Sequence, residues 1–404
     1  MKSLDVFSAL RYRNFRLFWF GSIISLAGTW MHQAAQGWLV FKLTDSPFYL
    51  GLSSSAISTP ILLFTLAGGV AADRFSKKNI ILVTQICAMF LALSLAVIVS
   101  SGIVTVWHVL IIAFFMGMSH AFEIPARQSF FIEMVGRDDL LNAIALNSAA
   151  FHGARMIGPT IAGIIMGSLG LAACFYINSF SFIAAIAALI IMKFESPGKK
   201  PDSRKGIAKE LKEGLKYIFS SSKIYSLIIA VGIVSFFGFP YISFLPVYAR
   251  DILGTGATGL GILMGCAGAG AFTGAINLAL RSKSLQKGTL LAVSGLLFAV
   301  ALFVFSLSTT AWLSYVMLFL VGWGAINQIA TVNSMLQLTV PDDLRGRVMS
   351  SFTTVFLGMS TLGNLFIGSL AHYIGTQKAL ATGAFLCMLG IIWLLVKKRE
   401  ILRL

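Results

Sequence analysis

Charge is scarce in this chain. Asp, Glu, Lys and Arg make up 11% of its 404 residues and hydrophobic residues 57%, whereas a soluble domain carries about 25% charged residues. That shortage excludes an ordinary water-soluble globule and points to a chain solvated by lipid. Acidic residues are scarcer than basic ones, 15 against 31, leaving a net charge of +16. Such an excess would suit nucleic acid if it formed one patch, but the basic residues gather in alternate connecting segments, so no nucleic-acid partner is expected. Cysteine is limited to Cys87, Cys174, Cys266 and Cys387, one in each of four apolar runs. Without metal or CxxC spacing they are expected to be small buried side chains rather than disulfides. No HExxH, GxSxG or GxxxxGK[ST] pattern occurs, so a hydrolytic site and an ATP loop are both missing, and no enzyme activity, cofactor or metal is expected. Met1 to Arg16 lacks the apolar core and small-residue cleavage site of a signal peptide and reads as a cytoplasmic lead-in.

Long apolar runs are what the chain has instead. A membrane-crossing helix needs about 20 such residues. Runs of that kind lie near 15–41, 47–72, 79–100, 106–126, 140–168, 170–193, 223–249, 256–280, 288–307, 310–331, 346–372 and 378–396. The fold class this predicts is an all-α membrane protein with twelve transmembrane helices. All Lys and Arg residues except Lys42, Arg250, Lys378 and Arg155 lie at the N-terminus, at the C-terminus or around the even-numbered connections. The protein is therefore expected in the cell (inner) membrane, multi-pass, with both termini cytoplasmic.

The longest polar stretch, Glu195 to Ser222, divides the chain near its middle and opens on Pro197-Gly198-Lys199-Lys200-Pro201, a linker signal. Within it Ile207, Leu211, Leu215, Ile218 and Phe219 recur at helical spacing opposite Lys209, Glu210, Lys212 and Lys216, the pattern of an amphipathic helix on a membrane surface. The halves resemble each other. Asp138-Asp139-Leu140 is echoed by Asp342-Asp343-Leu344, and Gly158 and Gly163 by Gly363 and Gly368, in each case about half a chain length on. The expected organisation is an N-terminal six-helix bundle over 1–193, a linker over 194–222 and a C-terminal six-helix bundle over 223–404, two pseudo-symmetric halves of one orientation.

Between the second and third runs stands Gly69-Val70-Ala71-Ala72-Asp73-Arg74-Phe75-Ser76-Lys77-Lys78. It resembles the GxxxDRxGRR loop of the major facilitator superfamily, with Ser76 in place of a glycine. Gly28-Thr29-Trp30-Met31, Gly37-Trp38-Leu39-Val40, Pro125-Ala126-Arg127-Gln128, Asn142 to Ser148, Arg155-Met156-Ile157-Gly158-Pro159 and Arg345-Gly346-Arg347 resemble the branch containing the enterobactin and macrolide exporters. This resemblance covers nearly the whole chain. It implies export of small, often amphipathic molecules driven by an ion gradient. Protons are the expected coupling ion, and a monomer embedded in the lipid bilayer is the expected form. Many proton-coupled drug exporters carry an Arg four residues before a glycine of the fourth span; here that position is Ala113, before Gly117. A loose glycine-proline pattern, Gly153, Gly158, Pro159, Gly163 and Gly167, runs along the fifth span and permits close packing and a bend.

Arg155 is the most informative single residue, a guanidinium in the middle of an apolar run; ionisable groups within membrane spans are functional candidates by default. Counting 1.5 Å per residue from Trp107 and from Ser168 puts Glu123 and Arg155 at depths that differ by only about 4 Å. Their pairing is geometrically allowed, and with His120 and His152 they form the predicted proton- or charge-coupling centre. Glu123 also stands at i, i+4 from Arg127, a common helix-surface pair, and both pairings remain open. Asp73, with Gly69, Arg74, Lys77 and Lys78, is the predicted gate motif, its cations free to pair with Asp138, Asp139 or neighbouring acids.

Helical periodicity marks cavity candidates on four spans. Thr29, His32, Gln33 and Gln36 share a face of the first, Met116, His120, Glu123 and Arg127 of the fourth, Phe237, Tyr241, Phe244 and Tyr248 of the seventh, and Gly324, Asn327, Gln328 and Thr331 of the tenth. In transporters that this chain resembles, those four helices line the central cavity. Taken singly, an amide stripe also serves interhelical hydrogen bonding and an aromatic stripe ordinary packing. The function expected is a secondary active exporter of a siderophore-like or drug-like molecule. The alternatives are an ion-coupled uptake permease for a small solute and a structural or sensory membrane protein, which would not need an intramembrane Glu and Arg.

Overall fold

The structure is a computed structural model that describes residues 7–193, 217–281 and 287–397, without the side chains of 279–281, 342 and 343. Every regular element among them is helical. A 3₁₀ turn, Ser8–Arg11, leads into α1 (Arg13–Thr44), α2 (Pro47–Arg74), α3 (Lys77–Ser100), α4 (Val106–Val135), α5 (Leu140–Ser168) and α6 (Leu171–Ile191). After the linker come α7 (Ser222–Ile233), α8 (Tyr241–Val247), α9 (Gly256–Arg281), α10 (Lys287–Leu307), α11 (Ala311–Thr339), α12 (Asp342–Ile374) and α13 (Thr376–Lys397). The expected amphipathic linker helix lies largely outside the described residues.

Ten segments among the described residues are long and apolar enough to cross a membrane, α7 and α8 counting together as Ser222–Ile252. Two further helices, α1 and α5, have 32 and 29 residues. They fall short in apolarity because α1 carries His32, Gln33 and Gln36, and α5 carries His152, Arg155 and Pro159. Several helices outrun their apolar stretches. In particular α4 continues to Val135, so Arg127, at the edge of the expected span, lies inside the helix.

The contacts divide the chain into two compact units. Unit 1 is Met1–Thr44, Ala56–Pro201 and Ala257–Gly261; unit 2 is Asp45–Ser55, Asp202–Gly256 and Ile262–Leu404. In unit 1, α1 packs against α5 and α6, and α3 against α4 and α6. A core of Phe15, Phe18, Ile81, Phe130, Phe131 and Met134 fills the end where α1 begins, with Phe18 edge-on to Phe130 and Phe131 at 5.9 and 6.0 Å. In unit 2, α10 packs on α11 and α13, and a core of Leu227, Val332, Leu336, Val348 and Phe352 joins α7, α11 and α12.

Glycine lets backbones meet at matching places. A Cβ on Gly117 of α4 would lie 2.1 Å from the carbonyl oxygen of Ile57 in α2, and one on Gly322 of α11 would lie 2.0 Å from that of Ala267 in α9. Membrane helices gain most from such small-residue contacts, since lipid removes the hydrophobic drive for association.

Each unit also takes in a strip of chain from far along the sequence. In unit 1, Thr258 Oγ1 donates to the Gly163 carbonyl at 3.3 Å, and a Cβ on Gly261 would stand 2.7 Å from the Pro159 oxygen. In unit 2, Ser55 Oγ donates to the Thr361 carbonyl at 3.0 Å, Ser54 and Ser243 share a hydrogen bond of 2.7 Å, and Arg250 pairs with Asp45 at 2.6 Å.

Between α7 and α8 the helix widens into a π segment, Val234–Gly238, where Phe239 N donates to the Val234 carbonyl at 3.0 Å. Pro240 explains it. Proline has no N–H to offer the Phe236 carbonyl one turn back, so the ladder slips. The released Phe236 oxygen faces α12, where a Cβ on Gly363 would be 2.1 Å away. A second π segment, Tyr248–Ile252, ends this span.

The four cysteines are free thiols. Cys174 and Cys387 are buried as expected, Cys266 is partly so, and Cys87 is exposed. The exposure of Cys87 corrects the expectation: it lines a groove of about 780 Å³ along α3 and α4, together with Val83, Phe90, Phe115 and Met118.

Candidate functional site

Among the described residues, the interior of unit 1 holds one carboxylate. Glu123 of α4 is 6% exposed, and its Oε1 accepts from Arg127 Nε at 3.1 Å, from Arg127 Nη2 and from Gln85 Nε2 of α3 at 2.9 Å. The other oxygen, Oε2, lies 3.8 Å from His120 Nδ1. Gln85 is held in turn by Ser25 Oγ of α1 at 3.1 Å, and Arg127 Nη1 reaches Ser22 Oγ at 3.2 Å. The Arg127 guanidinium carbon lies 5.1 Å from the centre of the Phe18 ring. Helix α4 brings the carboxylate, the guanidinium and the histidine ring to one stripe because residues 120, 123 and 127 are spaced by three and four. Helices α1 and α3 supply the neutral partners.

This arrangement resolves the two pairings left open by the sequence. Glu123 bonds to Arg127, and Arg155 of α5 makes no ion pair among the described residues. The Arg155 guanidinium carbon instead lies over the Trp30 ring, 5.4 Å from its centre. His152 pairs with no carboxylate among the described residues: its ring stands edge-on to Phe151 at 5.5 Å, with Nδ1 buried and unpartnered. The four predicted coupling residues therefore separate into a Glu123–His120 centre and an Arg155–His152 pair on α5. The helical rise gives depth along a span but not the rotation of α5 about its axis. Ala143, Leu146, Ala150 and Ala154 form its buried side against the bundle, and that turns Arg155 toward Trp30.

One turn along α1 from this centre lies a small cavity of about 10 Å³, room for about one water molecule. Thr29, His32, Gln33 and Gln36 line it from α1, Met116 and His120 from α4. The α1 stripe thus meets two residues of the α4 stripe here. His32 is 3% exposed and stands edge-on to Phe175 at 4.9 Å, with neither ring nitrogen in a well-formed hydrogen bond. Asn178 and Phe182 of α6 close the cavity. Sequence reading passed over Asn178, Gln85, Ser22 and Ser25. An amide within an apolar run was the available signal for Asn178 and Gln85; the serines gave none.

In unit 2 the α11 candidates Asn327, Gln328 and Thr331 are buried at 0%, 3% and 1% exposure. Asn327 Nδ2 donates to the Trp323 carbonyl at 2.8 Å, leaving its Oδ1, Gln328 Oε1 and Thr331 Oγ1 unpaired among the described residues. The aromatic stripe is different from its expectation as a cavity wall. Tyr241 and Phe244 have no exposed surface, and Tyr241 meets Phe298 edge-on at 6.5 Å. Tyr248 stacks on Phe305 at 4.4 Å, its hydroxyl donating to the Ser306 carbonyl. These three are packed core; Phe237 alone is part-exposed.

At the junction of α2 and α3, Asp73 and Arg74 are exposed and form no ion pair among the described residues. Lys77 pairs with Glu133 at 2.5 Å and Lys78 donates to the Met192 carbonyl at 2.7 Å. Neither lysine takes Asp139, which accepts from Ser8 Oγ. A hydrogen bond with that same carboxylate raises the pKa of Tyr12. A Cβ on Gly69 would meet nothing within 4 Å, so this glycine is not required by packing.

Residues 5–401 match the family described as transmembrane secretion effector, a group within the major facilitator superfamily. The chain belongs to that family. Among relatives, it is 24% identical to the multidrug efflux pump Tap of Mycolicibacterium fortuitum, over 92% of this chain and 93% of that one. It is also 24% identical to the enterobactin exporter EntS of Escherichia coli, over 95% and 91% respectively. The structure of a bacterial homologue of the lysosomal transporter Spinster superposes with a TM-score of 0.72, at 14% identity, covering 99% of this chain and 97% of that one. This secretion-effector protein is thus a multi-pass membrane transporter for a small-molecule substrate and not an enzyme, and its fold is that of the superfamily.

Proposed function

We propose that the protein is a secondary active transporter that exports a small amphipathic molecule across the cell (inner) membrane by alternating access, in exchange for protons. It works as a monomer of two six-helix halves, with α1 and α5 among twelve spans and both termini in the cytoplasm. Export is favoured by its family and by its similarity to Tap, a multidrug efflux pump, and EntS, an enterobactin exporter. Asp73 and its neighbours act as a gate that closes in another stage of the cycle.

The observation that carries proton coupling is the buried Glu123 carboxylate bound to Arg127 and Gln85. A single charge at the centre of a bilayer costs about 2.5–3.5 kcal/mol on insertion scales, and the ionised pair avoids most of that. When a proton binds Glu123, the carboxylate no longer neutralises Arg127, and the guanidinium must find another partner or water. Uptake from one side and release to the other thereby link proton movement to a change in how α1, α3 and α4 hold together. His120, at 3.8 Å from the carboxylate, is placed to pass the proton.

Glu123→Gln tests this directly, since the amide keeps the shape and hydrogen bonds but cannot ionise. Reconstituted variant protein should lose export driven by a pH gradient while still exchanging labelled cargo across the membrane. Unchanged gradient-driven export would remove Glu123 from the mechanism. In cells, lowered and uncoupler-sensitive accumulation of test compounds identifies export, and raised accumulation identifies uptake.

A further inference from the structure

Apart from the histidines, three charged side chains among the described residues lie well inside the spans of unit 1, Glu123, Arg127 and Arg155, and only two of them cancel. Glu123 is neutralised by Arg127. Arg155, near the middle of α5, has no carboxylate partner among the described residues. The electrostatics of this unit are left one positive charge in excess at membrane depth, a costly condition unless something compensates it.

Geometry shows where compensation would come from. Leu141, Ile144, Ser148, Phe151 and Arg155 share one side of α5 by alternating steps of three and four. Leu141, Ile144 and Phe151 are 81%, 45% and 40% exposed, and Ser148 is exposed as well. That side is therefore open within the unit, and Arg155 is only half-buried on it. The guanidinium lies over the face of Trp30, which in turn meets Phe151 edge-on at 5.5 Å. The guanidinium N–H donors make no hydrogen bond among the described residues, and such donors match a carboxylate in a two-point fit. One turn back along α5, His152 Nδ1 is buried and lacks a partner.

We infer that Arg155, backed by Trp30 and Phe151, is the binding point for an anionic group on the cargo, a carboxylate or comparable planar oxyanion attached to an aromatic body. The aromatic part lies against Trp30 and Phe151 while the oxyanion takes the guanidinium edge. A lipid headgroup is the other common source of an oxyanion, but Arg155 stands about 20 Å along α5 from both Leu140 and Ser168, far from the headgroups at either end. This inference rests on the export reading for the word cargo; the anion site itself does not.

The test uses the full-length protein in detergent with three probes sharing one ring system: 1-naphthoate, its neutral methyl ester, and 1-naphthylmethylammonium. Calorimetry should show wild-type protein binding naphthoate at least tenfold more tightly than either other probe, and naphthoate alone should raise the melting temperature. Arg155→Gln should abolish that preference, and Arg155→Lys should keep part of it, the charge without the fork. Equal binding of the three probes by wild-type protein overturns the inference whether or not any variant folds, as does an undiminished preference in Arg155→Gln. A melting-temperature rise given equally by chloride assigns the site to inorganic anions and also overturns it. If Arg155-dependent binding is found but no probe moves in pH-loaded vesicles, the export reading fails and the anion site stands. If naphthoate is exported equally by wild type and Arg155→Gln, the anion site fails and export stands.

Discussion

Glu123 and Arg127 sit one helical turn apart, and within unit 1 each depends on the other. Two guanidinium nitrogens, one amide and a histidine ring surround a carboxylate that is 6% exposed. Arg127→Ala would leave that carboxylate buried and unpaired, a change that typically costs about 3–5 kcal/mol. Purified Arg127→Ala protein should therefore show a large drop in unfolding midpoint. Arg127→Lys, which keeps the charge but loses the contact to Ser22, should show a smaller one. A midpoint unchanged in both would mean that the pair is not the structural centre described here. The spacing of 123 and 127 was visible in the sequence. Which arginine faces Glu123 was not visible, because that depends on how α5 is rotated by the packing of Ala143, Leu146, Ala150 and Ala154.

At the scale of an element, the irregular span from Ser222 to Ile252 shows how one residue propagates. Pro240 withholds a donor, the helix widens, and the Phe236 carbonyl is turned out against Gly363. Overpacking at such a contact typically costs about 1–3 kcal/mol, and here the obstructing atom is backbone. Gly363→Val should lower the melting temperature strongly, whereas Gly69→Ala, with nothing within 4 Å of its Cβ, should leave it unchanged. Comparable losses in both would contradict this packing. The same widening explains why Phe237, Tyr241, Phe244 and Tyr248 failed as a cavity stripe. Their spacing assumed a regular helix throughout, and two π segments break that period before and after α8. The stripes on α1 and α4 belong to regular helices, and their residues do meet around one cavity.

For the whole molecule, the apolar runs located the helices well, since lipid imposes both a length and a composition on a crossing segment. Their ends were less legible: polar turns can continue a helix beyond the apolar slab, as α4 does to Val135. The distribution of Lys and Arg predicts orientation, and it can be tested with all four native cysteines replaced by Ser. Cysteine introduced at Ser101, exposed between α3 and α4, should react with an impermeant maleimide added outside the cell; cysteine at Arg137, exposed between α4 and α5, should react only after permeabilisation. The reverse pattern would invert the proposed topology.

The strips Asp45–Ser55 and Ala257–Gly261 carry a consequence for biosynthesis. Each belongs to a compact unit whose remaining helices come mostly from the other half of the gene product. Unit 1 lacks its Thr258 contact to Gly163 until the ribosome has passed residue 261, and Ser55 must wait for Thr361 before its own hydrogen bond can form. Maturation of the first-made helices is thus held open until late in translation, and a polypeptide truncated at the central linker would leave the insertion machinery with an unfinished surface, open to quality-control proteolysis.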